Sequence, residues 1–95
     1  GAAPAVIVSD SFGRPWRLGT TDVALGVAGL NPLKDYRGDT DRYGYELRAS
    51  MAAVADEIAS AAELVMGKKD GIPVVLVRGY PIDSRKGSAQ ELLRP

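Results

Sequence analysis

The chain has 95 residues, enough for one small domain, with 12 basic and 12 acidic side chains and a formal net charge of zero. Interspersed charge of that kind excludes a basic nucleic-acid platform and a polybasic membrane-docking patch. There is no cysteine and no histidine, so disulfides and thiolate sites are excluded. Any metal must then be held by oxygen, which favours magnesium, manganese or calcium over zinc. No apolar run reaches membrane-spanning length, no charged-then-apolar leader opens the chain, and the expected compartment is the cytoplasm. The opening Gly1-Ala2-Ala3-Pro4 reads as the start of a piece of something longer.

In chain order, Ala5-Val6-Ile7-Val8 is a β-branched apolar run that predicts a buried strand. Ser9-Asp10-Ser11 predicts a polar turn, and Phe12 to Arg17 a loop punctuated by Gly13 and Pro15. Asp22 to Leu30 predicts a second strand whose glycines suit close backbone approach. Asn31-Pro32 forces a turn, and Lys34 to Asp41 forms a charged loop.

The clearest element is a helix from about Glu46 to Met66, with Leu47, Met51, Val54, Ile58, Ala61 and Val65 on one face. Alanine fills much of the rest, and Gly67 is placed to cap it. Asp70-Gly71 turns into Ile72 to Tyr80, read as another buried strand, with Pro73 near its start. Ser88-Ala89-Gln90-Glu91 matches a capping box before a short terminal helix. The expected fold is α+β: a mixed sheet of short buried strands packed against one long Ala-rich helix and a short C-terminal helix. Residues 1–95 form a single unit of it.

Asp10 follows a buried strand, where open α/β sheets commonly place ligand-binding groups, and Ser11 adds a hydroxyl suited to the same hard cation. An ordinary Asx-type turn explains Ser9 to Ser11 equally well. Glu63 shares a helical stripe with Asp56 and Ser60, a pattern that usually marks a solvated face. Lys68 and Lys69 at the helix end complement its dipole, and the segment is not a phosphate-binding Walker loop. Arg14, Trp16 and Arg17 share one loop that could clamp an anion and stack on a flat ring or simply lie at the surface. Tyr36, Arg37, Tyr43 and Tyr45 make a similar polar-aromatic group with no spacing that points to catalysis.

The run Val6-Ile7-Val8-Ser9-Asp10-Ser11-Phe12-Gly13-Arg14-Pro15 resembles a signature of the coenzyme F-420 gamma-glutamyl ligase family. So do Val23 to Gly29, Pro32 to Gly38, Val54 to Lys68, Asp70 to Val74 and Val77 to Gly79, in consistent order. The resemblance implies a GTP- and metal-dependent ligase that adds L-glutamate to a deazaflavin precursor through an acyl phosphate. Its implied cofactors are divalent cations, Mg or Mn, and the resemblance also admits a monovalent potassium ion. By position, Asp10 resembles a ligand of one metal, while Ser11 (threonine in most of the family) and Glu63 resemble ligands of the other. Ala61, Ala62, Glu63, Leu64, Val65, Met66, Gly67 and Lys68 resemble the segment lining the GTP site. Arg14 and Arg17 are candidates for a substrate phosphate or carboxylate on charge and loop position alone, and no residue is assigned as catalytic.

The resemblance further implies that the chain is the middle-to-C-terminal portion of a larger ligase fold, inactive without an upstream half. The implied assembly is an intertwined homodimer. Leu92-Leu93-Arg94-Pro95 resembles the approach to a reductase-like domain that some actinobacterial relatives carry. Two other readings stay open: a non-catalytic assembly module, and a nucleotide-binding protein of another pathway.

Overall fold

The computed structural model describes residues 4–46, 51–69, 71–83 and 87–94. Four strands, β1 (Val6–Arg14), β2 (Arg17–Ala28), β3 (Lys34–Asp35) and β4 (Met51–Ala52), precede one helix, α1 (Val54–Met66). A 3-10 turn, Ala89–Leu92, follows. The strands form two antiparallel pairs, β1 with β2 and β3 with β4, giving the expected α+β arrangement. No helix among the described residues is long and apolar enough to cross a membrane.

β1 and β2 run well beyond the short strands read from the apolar segments. Ser9, Asp10 and Ser11 do not turn: they continue the ladder opposite Ala24, Val23 and Asp22. Polar residues persist there because only one face of the hairpin is covered, so strict alternation replaces continuous apolarity. Ile7, Ser9 and Ser11 are half-buried, whereas Val6, Val8 and Asp10 are exposed. The predicted loop shrinks to Pro15 and Trp16 between the paired Arg14 and Arg17. Pro15 followed by a positive φ of 58° at Trp16 is the backbone pattern of a type II turn.

A register shift pairs Val8 with Gly26 and Ser9 with Ala24, leaving Leu25 as an extra residue on β2. Without that extra residue Val27 would leave the inner face; with it, Ile7, Ala24 and Val27 all join one cluster with Leu30, Ala55 and Leu92. Gly26 has ordinary room, 3.8 Å from the Val8 Cβ, so crowding does not demand it. Gly29 is the crowded one: its φ is +81° and a Cβ would meet the Ala5 Cα at 3.2 Å.

α1 begins at Val54 rather than Glu46. Glu46 bridges to Thr40 and Met51–Ala52 pairs with β3, so tertiary pairing overrides the helical propensity of that stretch. Leu47 and Asp70 lie outside the described residues. No side chain caps the N-terminus at Ala53. Instead the Pro32 carbonyl accepts from the Ala55 amide at 3.1 Å, satisfying one orphan donor of the first turn.

The buried face is also rotated from the predicted one. Val54, Ala55 and Ala59 are buried, while Ala61, Leu64 and Val65 are exposed. Alanines at the contact let the helix settle closely on β2. Gly67 ends it with φ 64° and ψ −168°, an essentially glycine-only conformation, and its amide donates to the Glu63 carbonyl at 2.9 Å.

Residues 71–83 form no strand or helix; the strand read over Ile72 to Tyr80 is corrected to an unpaired segment. Its β-branched composition supplies strand propensity, but propensity alone forms no ladder, and the segment instead lines a cavity opposite Pro4 to Ser9. The expected capping box at the C-terminus is present: the Ser88 amide donates to Glu91 Oε2 at 2.8 Å and the Gln90 amide to Ser88 Oγ at 3.2 Å.

Candidate functional site

The hairpin and the helix meet through polar side chains. Asp56 Oδ1 accepts from the Ala24 amide at 2.8 Å, and Ser60 Oγ donates to the Asp22 carbonyl at 2.9 Å. The Asp56–Ser60–Glu63 stripe is therefore not a solvated face; its first two members take backbone groups of β2. That docking carries Glu63, one turn on, to the level of Ser11. Lys68, just past the glycine stop, folds back so that its ammonium donates to Ser11 Oγ and lies 3.7 Å from Glu63 Oε1.

The result is a cation held beside two oxygen donors from different elements, a hydroxyl on β1 and a carboxylate near the end of α1. Lysine at a helix C-terminus needs no partner beyond the dipole; here it has two. Behind Ser11, the buried Asp22 carboxylate accepts from Ser11 Oγ at 2.9 Å and from Ser9 Oγ at 3.1 Å. Sequence reasoning missed Asp22, although an acid between Thr21 and the small apolar residues of an inward-facing strand was a usable signal.

Asp10 sits one residue before Ser11 on the opposite, exposed face of β1, and its Oδ1 accepts from the Ser11 amide at 2.8 Å. The structure thus gathers Ser11, Glu63 and Lys68 and leaves Asp10 adjacent but turned away. Among the described residues no group of three or more acids is close enough to hold a metal alone. The donor set nonetheless fits a hard cation: hydroxyl and carboxylate oxygens are the ligands magnesium and manganese take, with water or phosphate oxygens completing the shell.

Of the segment read as lining a nucleotide site, Ala62 and Met66 face a cavity of about 590 Å³ shared with Pro4 to Ser9 and Pro73 to Val77. Ala61, Leu64, Val65 and Gly67 are exposed. The cavity wall is mostly apolar, and Ser11, Glu63 and Lys68 lie outside its lining. Arg14 and Arg17 are paired at the hairpin tip, and Arg14 Nη2 donates to the Leu18 carbonyl at 2.9 Å. Arg14 lies three positions along the strand from Ser11, roughly 10 Å at about 3.3 Å per residue.

The Tyr36–Tyr45 region is a set of local turns. Arg37 pairs with Asp35 at 2.7 Å; its hydrogen bonds lower the Asp35 pKa to about 2 and raise its own. Asp41 Oδ1 accepts from the amides of Tyr43 and Tyr45 at 2.8 and 3.0 Å.

Residues 1–79 match the profile of the family described as F420-0:gamma-glutamyl ligase. The coenzyme F420:L-glutamate ligase of Methanothermobacter thermautotrophicus is 52% identical over 94 residues, 96% of this chain and 37% of the relative. That of Methanocaldococcus jannaschii is 46% identical, covering 100% of this chain and 39% of its own length. The Haloarcula marismortui ligase of the same name is 50% identical over 91 residues, 95% of this chain and 35% of its own. The chain therefore spans well under half the length of the curated relatives it matches. The chain belongs to the F420-0:gamma-glutamyl ligase family.

Proposed function

We propose that this chain is the middle-to-C-terminal portion of a cytoplasmic, GTP-dependent ligase that joins L-glutamate to a deazaflavin precursor in coenzyme F420 biosynthesis. The observation that carries the reading is the Lys68 ammonium held by Ser11 and Glu63, a cation position built from two residues that the family resemblance assigns to one metal. In the proposed reaction a carboxylate oxygen of the precursor attacks the γ-phosphorus of GTP, giving an acyl phosphate and GDP. The glutamate amine then attacks the acyl carbon, phosphate leaves, and an amide remains.

Divalent cations, Mg or Mn, bound at this site would offset charge on the transferring phosphoryl group. Ser11 and Glu63 would hold one of them, and Asp10, on the other face of β1, is proposed as a ligand of a second, with potassium as a further implied ion. The residues of this chain act by placement. Ser11 offers an oxygen fixed by its strand, Glu63 an oxygen fixed by a docked helix, and Lys68 a cation that can swing from Ser11 to an incoming phosphate. Ala61 to Gly67 lead up to that lysine, with Ala62 and Met66 on the cavity side. Arg14 and Arg17 at the hairpin tip are proposed to receive a substrate phosphate or carboxylate. The 95 residues alone are proposed to be inactive, the rest of both sites coming from upstream sequence.

The test is product formation by the full-length protein from GTP, L-glutamate and the precursor, read by mass spectrometry beside GDP release. The reading expects a gamma-glutamyl product that Ser11→Ala reduces and Glu63→Gln abolishes. Wild-type turnover by Glu63→Gln, or no product from the intact enzyme with metal present, would sink it.

A second reading, an assembly element within a homodimer, is favoured by one observation. Val74 and Leu76 of the unpaired segment are 79% and 69% exposed. Light scattering after size-exclusion chromatography separates the cases, because a monodisperse monomer of the full-length protein excludes the assembly role.

A further inference from the structure

Asp22 is 6% exposed, and both of its carboxylate oxygens are used, Oδ2 by Ser9 at 3.1 Å and Oδ1 by Ser11 at 2.9 Å. Neither ion pair found among the described residues includes it. A buried acid satisfied by two hydroxyls in this way is costly to place and needs its donors well aligned. The inward alternation of β1 supplies them from two positions on one face, with Asp22 directly opposite Ser11.

A serine hydroxyl has one proton and two lone pairs. Ser11 spends its proton on Asp22, so its rotor is fixed and its remaining acceptor capacity lies on the outer side. The ammonium of Lys68 already uses that side. The same Asp22 also accepts, through its backbone carbonyl, from Ser60 at 2.9 Å. Ser60 lies one turn before Glu63, so Asp22 ties together the strand bearing one oxygen donor and the helix bearing the other.

We infer that Asp22 is a positioning residue that holds the Ser11 hydroxyl as an acceptor toward a cation seated between Ser11 and Glu63. The inference rests on the reading of Ser11 and Glu63 as metal ligands and extends it to a residue behind them. Partners that orient a ligand in this way commonly change metal affinity by about 10- to 100-fold when removed. Ser9 orients the carboxylate from its other oxygen and does not touch the cation position.

The test is Mn²⁺ binding, followed by electron paramagnetic resonance, in the full-length protein. Asp22→Asn is compared in the native background and in a Ser11→Ala background, with Ser9→Ala as the control for loss of a strand-to-strand hydrogen bond. The expected result is at least a tenfold weakening by Asp22→Asn when Ser11 is present, less than twofold when it is absent, and less than twofold for Ser9→Ala. Equal losses in both backgrounds, or an equal loss in Ser9→Ala, would overturn the positioning role and leave Asp22 a strand fastener.

Mn²⁺ binding that Asp22→Asn leaves unchanged removes the positioning role alone. No binding by the unmutated protein removes the metal reading and the positioning role with it. Should Asp22→Asn fail to fold, the unmutated protein answers by proton NMR. A slowly exchanging Ser11 hydroxyl proton that persists on adding Mg²⁺ is expected, and its loss on adding Mg²⁺ would overturn the assignment.

Discussion

The Lys68 ammonium donates to the Ser11 hydroxyl across 57 residues of sequence. The contact closes a ring: β1 pairs with β2, β2 is docked to α1 by Asp56 and Ser60, and α1 ends in Gly67 and the lysine that returns to β1. The first two joints use backbone groups and short side chains, so packing fixes where the lysine stem starts, and the flexible Lys68 side chain spans the last gap to Ser11.

A cation already stands where a metal is proposed to bind, so the two must compete. Lys68→Met removes that competitor and its like charge, and we expect Mn²⁺ affinity in the absence of nucleotide to rise at least threefold. Coulombic repulsion between a unit charge and a divalent cation at about 5 Å, even at the dielectric of water, is worth about 1.7 kcal/mol. GTP affinity should fall in the same variant, because the ammonium is the charge offered to phosphate. Unchanged Mn²⁺ affinity in a metal titration would show that the lysine and the metal occupy different places.

The helix tests the packing directly. Ala55 is fully buried against Ala24 and Leu30, whereas Ala61 is exposed. Ala55→Leu should cost about 1–3 kcal/mol through overpacking, and Ala61→Leu should stay within about 0.5 kcal/mol. Urea denaturation of the two variants checks the assignment. A larger loss at Ala61 would restore the face predicted from the apolar spacing.

That reversal shows what was legible and what was not. The apolar spacing finds the helix because Val54, Ile58 and the alanines are periodic, but it ranks faces by size. The close contact with β2 is made by the smallest side chains, Ala55 and Ala59, which spacing alone scores as filler. The hairpin was half visible: Ala5 to Val8 shows as apolar, while Ser9 to Ser11 is strand because its partner is polar too. Residues 72–80 fail for the converse reason, carrying the composition of a strand without pairing as one. Motif resemblance singled out Glu63 and Ser11, and the fold brings both to the Lys68 ammonium. For Asp22 the local pattern could suggest a buried acid, but only the fold shows that it faces two serines on β1.

Charge in the exposed loop yields a pH test independent of the site. Hydrogen bonds from Arg37 hold the Asp35 pKa down to about 2 from the usual 3.8. The folded value lies below the unfolded one, so the pair's contribution is present above pH ~4 and is lost as pH falls toward 2. Both groups are exposed, so the effect on stability is small. Carboxyl NMR should place the Asp35 midpoint near 2, returning toward 3.8 in Arg37→Ala. A midpoint already near 3.8 in the unmutated chain would mean that the pair does not persist in solution.

Trp16 combines two features that rarely coincide, a φ of 58° and complete exposure at 101%. The left-handed conformation costs an L-residue roughly 1–2 kcal/mol, and an exposed ring recovers none of it by burial. Glycine adopts that conformation freely but loses more backbone entropy on folding. We therefore expect Trp16→Gly to stabilise the chain by about 0.5–1 kcal/mol and Trp16→Ala, which keeps the strain, to leave stability nearly unchanged. Thermal melts of both variants isolate the backbone effect, because each removes the ring and only one relieves the turn. If the alanine variant is the more stable of the two, strain at Trp16 is not what the hairpin tip stores. If glycine wins and activity of the full-length protein falls in both, the ring is held at the tip, between Arg14 and Arg17, for contact with substrate.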